Sequence, residues 1–443
     1  MTELDRDNTH PGYWPSAWPV ECGGNRRQKA SPDRLDAATG TASVTSVRNN
    51  RWNVMVVERD SGQWYLGGTM AHFSGPSPFG WVQRIDPTSL EPLVSSPELP
   101  CGDHVWCGAI LAHANGSIMS VNGSYLHRLD PDDLSITVER RLPADRSHNG
   151  LLALSDGTLV TKDLRLEGQG GTTISRLDPE SLQPIGEPLV LPEGSMGRIA
   201  ADLTTAGEII YVPGTEHLWR LVVEGDRLAV DDWRPRYRAA GSDRGLAWDA
   251  CISDDVCWIM DCGDIESVRR IHTTEPNGRF DEPPGNRLSW RLPAPWSGAQ
   301  RLVRVSLDDP NDATEIEPFG APGGGIIAPP AHVPEQQMAI AWDSVNGGLA
   351  GIDTSGTTLE VAWQLDVRPS MQPVVFPASG ELAINDFTDS GTDDVVIVDI
   401  TSGELLDRVD TGSRIGNGMF LTADGDRGLF YCSTLTVAHI TWH

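Results

Sequence analysis

One short segment recurs along the chain, and this repetition constrains the fold more than any other feature of the sequence. Three near-identical copies, with the sequences RIDPTSL, RLDPDDL and RLDPESL, lie at 84–90, 128–134 and 176–182. Shorter variants follow at 304–308, 351–353 and 397–400. Each copy has the pattern of a strand that ends in an Asp or Asp-Pro turn and leads into another strand. The chain is therefore predicted to be a series of similar β-units.

The aspartates of the three full copies, Asp86, Asp130 and Asp178, are typical turn residues. An aspartate side chain can accept hydrogen bonds from backbone amides that lie just after it in a turn. We therefore predict a structural role for these three carboxylates and leave them out of the candidate site.

A second pattern lies upstream of each signature: a small-residue entry, an apolar strand, a Gly or Asp turn and another apolar strand. Successive entries are mostly about 43 to 54 residues apart, and four-stranded propeller blades take roughly 40 to 50 residues each. Eight entries can be assigned, near Asn53, Cys107, Gly150, Met196, Gly245, Gly324, Gln372 and Gly418. The sequence predicts an all-β chain folded as an eight-bladed β-propeller, with seven blades as the alternative if one entry is miscounted.

The two ends of the chain are predicted to close the ring. The last unit has about 25 residues after its entry, which is room for three strands. The segment 42–47 can supply the fourth strand and so remove an exposed sheet edge. We expect an N-terminal arm or cover at 1–41 and a single propeller domain at 42–443, with an insertion at about 262–299.

Charge and hydropathy exclude several classes of partner. The chain of 443 residues carries 34 Lys plus Arg against 62 Asp plus Glu, a formal net charge of −28. Nucleic acids and anionic membrane surfaces both require a basic face, so neither is expected as a partner. No apolar run reaches the length of a membrane-spanning helix, and the acidic N-terminus lacks the apolar core of a secretory signal. A cytoplasmic protein with free thiols is expected.

Propeller geometry predicts where polar residues converge. The innermost strand of each blade begins, and the second strand ends, on one rim of the central channel, which we call the mouth. Candidates for substrate binding there are His72, His104, Arg244 and Asp386, with Trp290 and Trp296 from the long insertion. Loops of that length in a compact repeat are typically lids or binding loops, and the N-terminal arm can form a second cover. A structural brace on the blade face is the alternative for the insertion.

The candidate catalytic residues at the mouth are His148, Lys162 and Asp163. Lys162 is one of only two lysines in the chain; it can hold a carboxylate-bearing substrate or, with a lowered pKa, act as a base. Imidazole titrates near neutral pH, so His148 is the candidate for proton transfer. A surface salt bridge between Lys162 and Asp163 is the alternative.

Cysteine spacing suggests a further hypothesis. Cys101, His104 and Cys107 have a Cys-x2-His-x2-Cys spacing, and thiolates with imidazole suit Zn²⁺. Free buried thiols or a loop disulfide are the alternatives. Cys251 and Cys257 flank a predicted turn and are expected to face each other across a hairpin.

The chain resembles the broad quinoprotein-like propellers in its repeat architecture over about 42–443. Its blade entries, His148-Asn149-Gly150-Leu151, Gly416-Asn417-Gly418-Met419 and Asp243-Arg244-Gly245-Leu246, are similar to those of gluconolactonase-like propellers. The second resemblance implies that Asn149 and Asn417 bind a divalent cation, Ca²⁺ or Mg²⁺, beside carboxylates such as Asp261. A permissive Asn-Gly turn is the alternative reading of both asparagines.

Together these features favour an enzyme that acts on a small organic substrate at the mouth. The most concrete form is a metal-assisted hydrolase of the lactone or ester type, and a related lyase or isomerase would use the same residues. The alternative is a non-catalytic propeller that binds a protein or peptide partner through the same face. A quinone-dependent dehydrogenase is less favoured, because no adjacent cysteine pair is present.

Overall fold

The computed structural model describes residues 10–70, 78–104, 106–266, 298–326, 328–416, 418–425 and 427–443. Their strands form eight sheets of antiparallel strands, arranged as the blades of a propeller. Seven sheets have four strands, and one has a fifth short strand beside its third. The eight-bladed prediction is thus confirmed.

The first four blades follow one another along the chain. Blade one contains β2 (Trp52–Glu58), β3 (Trp64–Met70), β4 (Phe79–Ile85) and β5 (Pro92–Ser95), with β6 (Leu99–Pro100) also paired to β4. Blade two contains β7 (Cys107–Ala112), β8 (Ile118–Asn122), β9 (Tyr125–Leu129) and β10 (Ile136–Arg141). Blade three contains β11 (His148–Ala153), β12 (Leu159–Asp163), β13 (Thr173–Leu177) and β14 (Leu189–Val190). Blade four contains β15 (Ala200–Thr204), β16 (Gly207–Pro213), β17 (Leu218–Glu224) and β18 (Arg227–Val230).

The other four blades complete the ring. Blade five contains β19 (Ala247–Ser253), β20 (Val256–Asp261), β21 (Leu302–Ser306) and β22 (Ala313–Ile316). Blade six contains β23 (Ala331–Val333), β24 (Met338–Trp342), β25 (Leu349–Asp353) and β26 (Glu360–Leu365). Blade seven contains β27 (Val374–Phe376), β28 (Glu381–Phe387), β29 (Asp393–Asp399) and β30 (Leu405–Ser413). Blade eight contains β31 (Gly418–Asp424), β32 (Gly428–Ser433), β33 (Thr436–Trp442) and, from the other end of the chain, β1 (Ala42–Arg48).

The chain ends close the ring as predicted. Strand β1 pairs with β33 in antiparallel register, from Ala42 opposite Trp442 to Arg48 opposite Thr436. The innermost edge of each sheet faces the channel, and neighbouring sheets pack face to face. Inner strands such as β7, β11 and β19 are therefore buried along their whole length, whereas the outer strand β10 alternates between half-buried and exposed residues.

The repeated Asp turns have the predicted role. Asp86 Oδ1 accepts hydrogen bonds from the backbone amides of Thr88 and Ser89, at 3.0 and 2.8 Å, and Asp130 and Asp178 make the equivalent bonds. The leucine that ends each copy takes a left-handed backbone conformation and is buried, namely Leu90, Leu134 and Leu182. The repeat is therefore both a turn and an anchor: the aspartate caps the turn, and the leucine packs beneath it.

The N-terminal arm differs from the expected cover. Its backbone is hydrogen-bonded to Glu58, Ala112 and Ile252, which lie at the C-terminal ends of inner strands in three blades. A 3-10 turn at Glu21–Gly23, buried throughout, contacts β2, β7 and β31. The described part of the arm thus lies at the side of the ring opposite the mouth, where inner strands offer backbone partners, and its buried turn at Glu21–Gly23 reaches in between the inner strands.

All seven cysteines are free and buried. The expectation for Cys251 and Cys257 is wrong, because the hairpin turns tightly at Asp254 and Asp255. Ser253 pairs with Val256, so Cys251 lies opposite Trp258 and Cys257 opposite Ile252, on the two faces of the sheet. Within the described ranges, no helix has the length and hydropathy needed to cross a bilayer.

Candidate functional site

The structure brings the three candidate catalytic residues together in blade three. His148 and Asp163 are register partners on β11 and β12, and Lys162 is next to Asp163; all three side chains are fully buried. Lys162 Nζ donates to the backbone oxygens of Ser195, at 2.9 Å, and Asp163, at 3.2 Å. The Asp163 carboxylate instead accepts from Arg165 Nε, at 2.7 Å. A surface salt bridge between Lys162 and Asp163 is therefore excluded.

Burial changes the protonation of the lysine and the histidine. It lowers the pKa of Lys162 to about 7; the carboxylates of Asp163 and Asp249 oppose this change, and Arg198 adds to it. Burial also lowers the pKa of His148 to about 4, so its imidazole is neutral at pH 7. The His148 Nδ1 atom lies 3.0 Å from the backbone oxygen of Arg146 and must carry the proton, because a carbonyl can only accept. Its Nε2 is then a buried acceptor, with no hydrogen-bond partner among the described residues.

The two residues predicted to bind a cation that the structure describes, Asn149 and Asp261, are engaged in other contacts. Asn149 Oδ1 accepts from Trp106 Nε1, at 3.0 Å, and Asn149 Nδ2 donates to the backbone oxygen of Met196, at 3.2 Å. Asp261 lies in blade five and binds Arg301 through both carboxylate oxygens, at 2.7 Å each. Among the described residues no group of three or more His, Cys, Asp and Glu side chains could hold a metal ion. Asn149 and Asp261 are therefore not arranged as cation ligands in this structure.

The Cys-x2-His-x2-Cys segment does not form a metal group either. Cys101 Sγ donates to the backbone oxygen of Pro78, at 3.0 Å, and Cys107 is buried in β7. His104 Nε2 lies 3.5 Å from Asp145 Oδ1. Burial raises the pKa of both thiols to about 12, so they are neutral. Free buried thiols, one of the two alternatives, describe this segment.

The other predicted binding residues form separate contacts on the rim. Arg244 bridges the backbone oxygen of Ala299 and the Glu317 carboxylate, at 2.9 and 2.8 Å. In blade seven, Asp386 accepts from the backbone amide of Arg368, at 2.8 Å, and from Arg408 Nη2, at 2.7 Å. Four further predicted residues lie outside the described ranges: His72, Trp290, Trp296 and Asn417.

Beneath the mouth lies a buried ion cluster that the sequence analysis missed. Arg27 and Glu21 of the arm pair at 2.7 Å, and Arg27 also reaches Asp249 of blade five, at 3.1 Å. Arg198, just before β15, lies 3.0 Å from Glu21 through Nε and 3.7 Å from Asp249 through Nη1. Its backbone amide donates to Asp249 Oδ1, at 2.6 Å. Two arginines and two carboxylates thus join the arm to blades four and five.

Arg198 is also held between aromatic rings. Its guanidinium carbon lies 5.8 Å from the centre of the Trp106 ring and 5.1 Å from that of Phe420, distances at which a cation is attracted to a ring face. Trp106 is only half-buried, whereas Arg198 is 3% exposed. Trp106 thus contacts Asn149 of blade three and lies beside the guanidinium of Arg198, next to blade four. Only the positions of Trp106, Arg198 and Asp249 near blade entries could have indicated this cluster in the sequence.

Comparison with known proteins identifies a fold and no family. No family model matches the chain, and no curated protein matches its sequence. Among solved structures, a europium-containing methanol dehydrogenase is similar with a TM-score of 0.61 and 11% identity, covering 99% of each chain. Sqt1 from Chaetomium thermophilum is similar with a TM-score of 0.57 and 11% identity, covering 91% of this chain and all of that one. The quinohemoprotein alcohol dehydrogenase ADHIIG from Pseudomonas putida HK5 has a TM-score of 0.58 and 10% identity, covering 98% and 81%. At such identities the likeness concerns the propeller fold alone.

Proposed function

We propose that the protein is an enzyme that acts on a small organic molecule at the mouth, beside blades two to four. The observation that carries this proposal is the fully buried Lys162 amine, with a pKa of about 7, in the same blade as the neutral imidazole of His148, whose pKa Lys162 also lowers. Perturbed titratable groups that lie close together are typical of sites for proton transfer.

The chemistry that suits these groups best is hydrolysis of a lactone or ester. Water adds to the carbonyl carbon, and the neutral Lys162 amine takes the proton that water loses. The carbon–oxygen bond to the alkoxide then breaks, and the lysine ammonium returns the proton to the leaving oxygen. His148 Nε2 can accept a hydrogen bond from the water or substrate hydroxyl. A lyase or isomerase would use the same proton transfers.

A second candidate function follows from the burial of these groups. Lys162 and His148 have no exposed surface, so a substrate reaches them only if the side chains that cover them move. A propeller that binds a protein or peptide partner through its mouth needs no such movement. In either case we propose a cytoplasmic location, which the seven free thiols support.

The two functions are separated by a hydrolysis assay. Wild-type protein, Lys162→Met, His148→Gln and the control Arg227→Gln are tested on γ- and δ-lactones and 4-nitrophenyl acetate between pH 6 and 9. Arg227 is an exposed residue of the outer strand of blade four, paired with Glu224. We expect a rate that rises with a midpoint near pH 7, is lost in Lys162→Met and is unchanged in Arg227→Gln. No turnover by folded wild-type protein, or equal rates in all variants, would refute the enzyme proposal.

A further inference from the structure

Three buried nitrogen donors around the arm turn Glu21–Gly23 lack partners. Arg198 Nη2, Arg27 Nε and Gln372 Nε2 have no hydrogen-bond partner among the described residues, and the three side chains belong to residues at most 3% exposed. Arg198 Nε and Glu21 Oε2 also make no hydrogen bond, but they lie 3.0 Å apart and pair with each other as ions. Arg27 and Arg198 both pair with Glu21. Gln372, at the entry of blade seven, accepts from Cys22 Sγ through its amide oxygen, at 3.1 Å. All three donors therefore belong to side chains that contact the same short turn.

The missing partner must be an acceptor. Buried N–H groups are nearly always satisfied, by protein, water or ligand. The carboxylates nearest to these donors, Glu21 and Asp249, already pair with the two arginines, so their charges balance those of Arg27 and Arg198. Lys162 is a further cation whenever it is protonated, and Asp163, Asp249 and Arg198 all act on its pKa. The Asp163 carboxylate is itself balanced by Arg165, at 2.7 Å, so the Lys162 charge remains. An anion is the ligand that would satisfy the donors and balance this remaining charge.

The surroundings favour an organic anion. The rings of Trp106 and Phe420 lie at 5.8 and 5.1 Å from the Arg198 guanidinium and offer apolar surface beside its free donor. A guanidinium donates to a carboxylate with well-matched geometry. Trp106 is half-buried, its ring nitrogen bonds to Asn149, and its ring lies beside Arg198, so it is the partly exposed neighbour of this place.

We infer that the channel behind Trp106 binds the carboxylate of a small organic acid, with Arg198 as the receiving group and Gln372 as a second donor. This inference rests on the proposed function, since it names the substrate class of that site: a hydroxy acid ester, a lactone of a polyacid or another small carboxylate. The carboxylate would lie close enough to Lys162 to stabilise its ammonium form. Binding is therefore expected to take up a proton between pH 7 and 9.

The inference is tested by isothermal titration calorimetry at pH 8 with acetate, malonate and benzoate, in two buffers of different ionisation enthalpy. Acetamide and chloride serve as control ligands. We expect saturable binding of at least one carboxylate with proton uptake, and at least tenfold weaker binding by Arg198→Lys. Gln372→Met, which keeps the side-chain volume and the ion cluster, should weaken binding about threefold to tenfold. Arg227→Gln should bind as the wild type does.

Two outcomes would overturn the inference. One is the absence of saturable carboxylate binding by folded wild-type protein. The other is equal binding of acetamide, which would mean that a neutral acceptor satisfies the donors, or of chloride, which would mean that any anion does. Failure of the inference is distinguishable from failure of the proposed function. Hydrolysis without carboxylate binding refutes only the substrate class, whereas carboxylate binding with proton uptake but without hydrolysis refutes only the enzyme.

Discussion

Replacement of Lys162 by methionine should change how the stability of the protein depends on pH. The ammonium of Lys162 is buried and bound only to backbone oxygens, and burial lowers its pKa from 10.5 to about 7. That difference corresponds to about 5 kcal/mol in favour of the neutral amine. Because the folded pKa lies below the unfolded one, the unfolded chain binds more protons between pH 7 and 10.5. The free energy of unfolding should therefore rise with pH in that range, by up to about 1.4 kcal/mol per pH unit.

Lys162→Met removes this dependence, because methionine has a similar shape and no charge. Urea unfolding of wild-type protein and variant at pH 7, 8 and 9 measures the difference in the free energy of unfolding. As the pH rises from 7 to 9, the free energy of unfolding of the wild type should increase by about 2 to 3 kcal/mol relative to that of Lys162→Met. The pKa of Lys29 is also lowered by burial, but Lys29 is present in both proteins, so its contribution cancels.

The two lysines also permit a direct measurement. Protein labelled with ¹³C at lysine Cε has only two such positions, and Lys162→Met assigns their signals. The Lys162 signal should titrate with a midpoint near pH 7. A midpoint above pH 9, or a stability difference that does not change with pH, would refute the reasoning and remove the basis of the proposed function.

Three further predictions concern other parts of the molecule. Asp249→Asn leaves the arginines of the ion cluster with one carboxylate and should lower the free energy of unfolding by about 3 to 5 kcal/mol in urea; a loss below about 1 kcal/mol would contradict the cluster's role. Gly403→Ala should be more destabilising than Gly391→Ala in the same assay, because both glycines have left-handed backbone but only the first would place a Cβ against another side chain, 2.7 Å from the ring of Trp363. Burial raises the pKa of Asp393 from 3.8 to about 7, so the folded state binds the extra proton and its contribution to stability is lost as pH rises from about 4 to 7. Asp393→Asn should therefore flatten the pH dependence in that window, and an unchanged profile between pH 4.5 and 7.5 would refute the assignment.

Much of the architecture could be predicted because it depends on local pattern. The Asp turns at Asp86, Asp130 and Asp178 need only a few consecutive residues, and their spacing follows from the length of a blade. The pairing of β1 with β33 could be predicted from a missing strand, since a propeller leaves no other partner for it. The convergence of His148, Lys162 and Asp163 followed from the same register.

What the sequence by itself determined is therefore the number of blades, their turns and the positions at the mouth. Only the tertiary structure decided the environment of those positions, because burial and charge balance depend on segments far apart in the chain. Glu21 and Arg27 meet Arg198 and Asp249 across more than 170 residues, and no local pattern indicates such a contact. The packed blades bury Lys162, so a lysine expected on an open rim becomes a buried amine with a pKa of about 7.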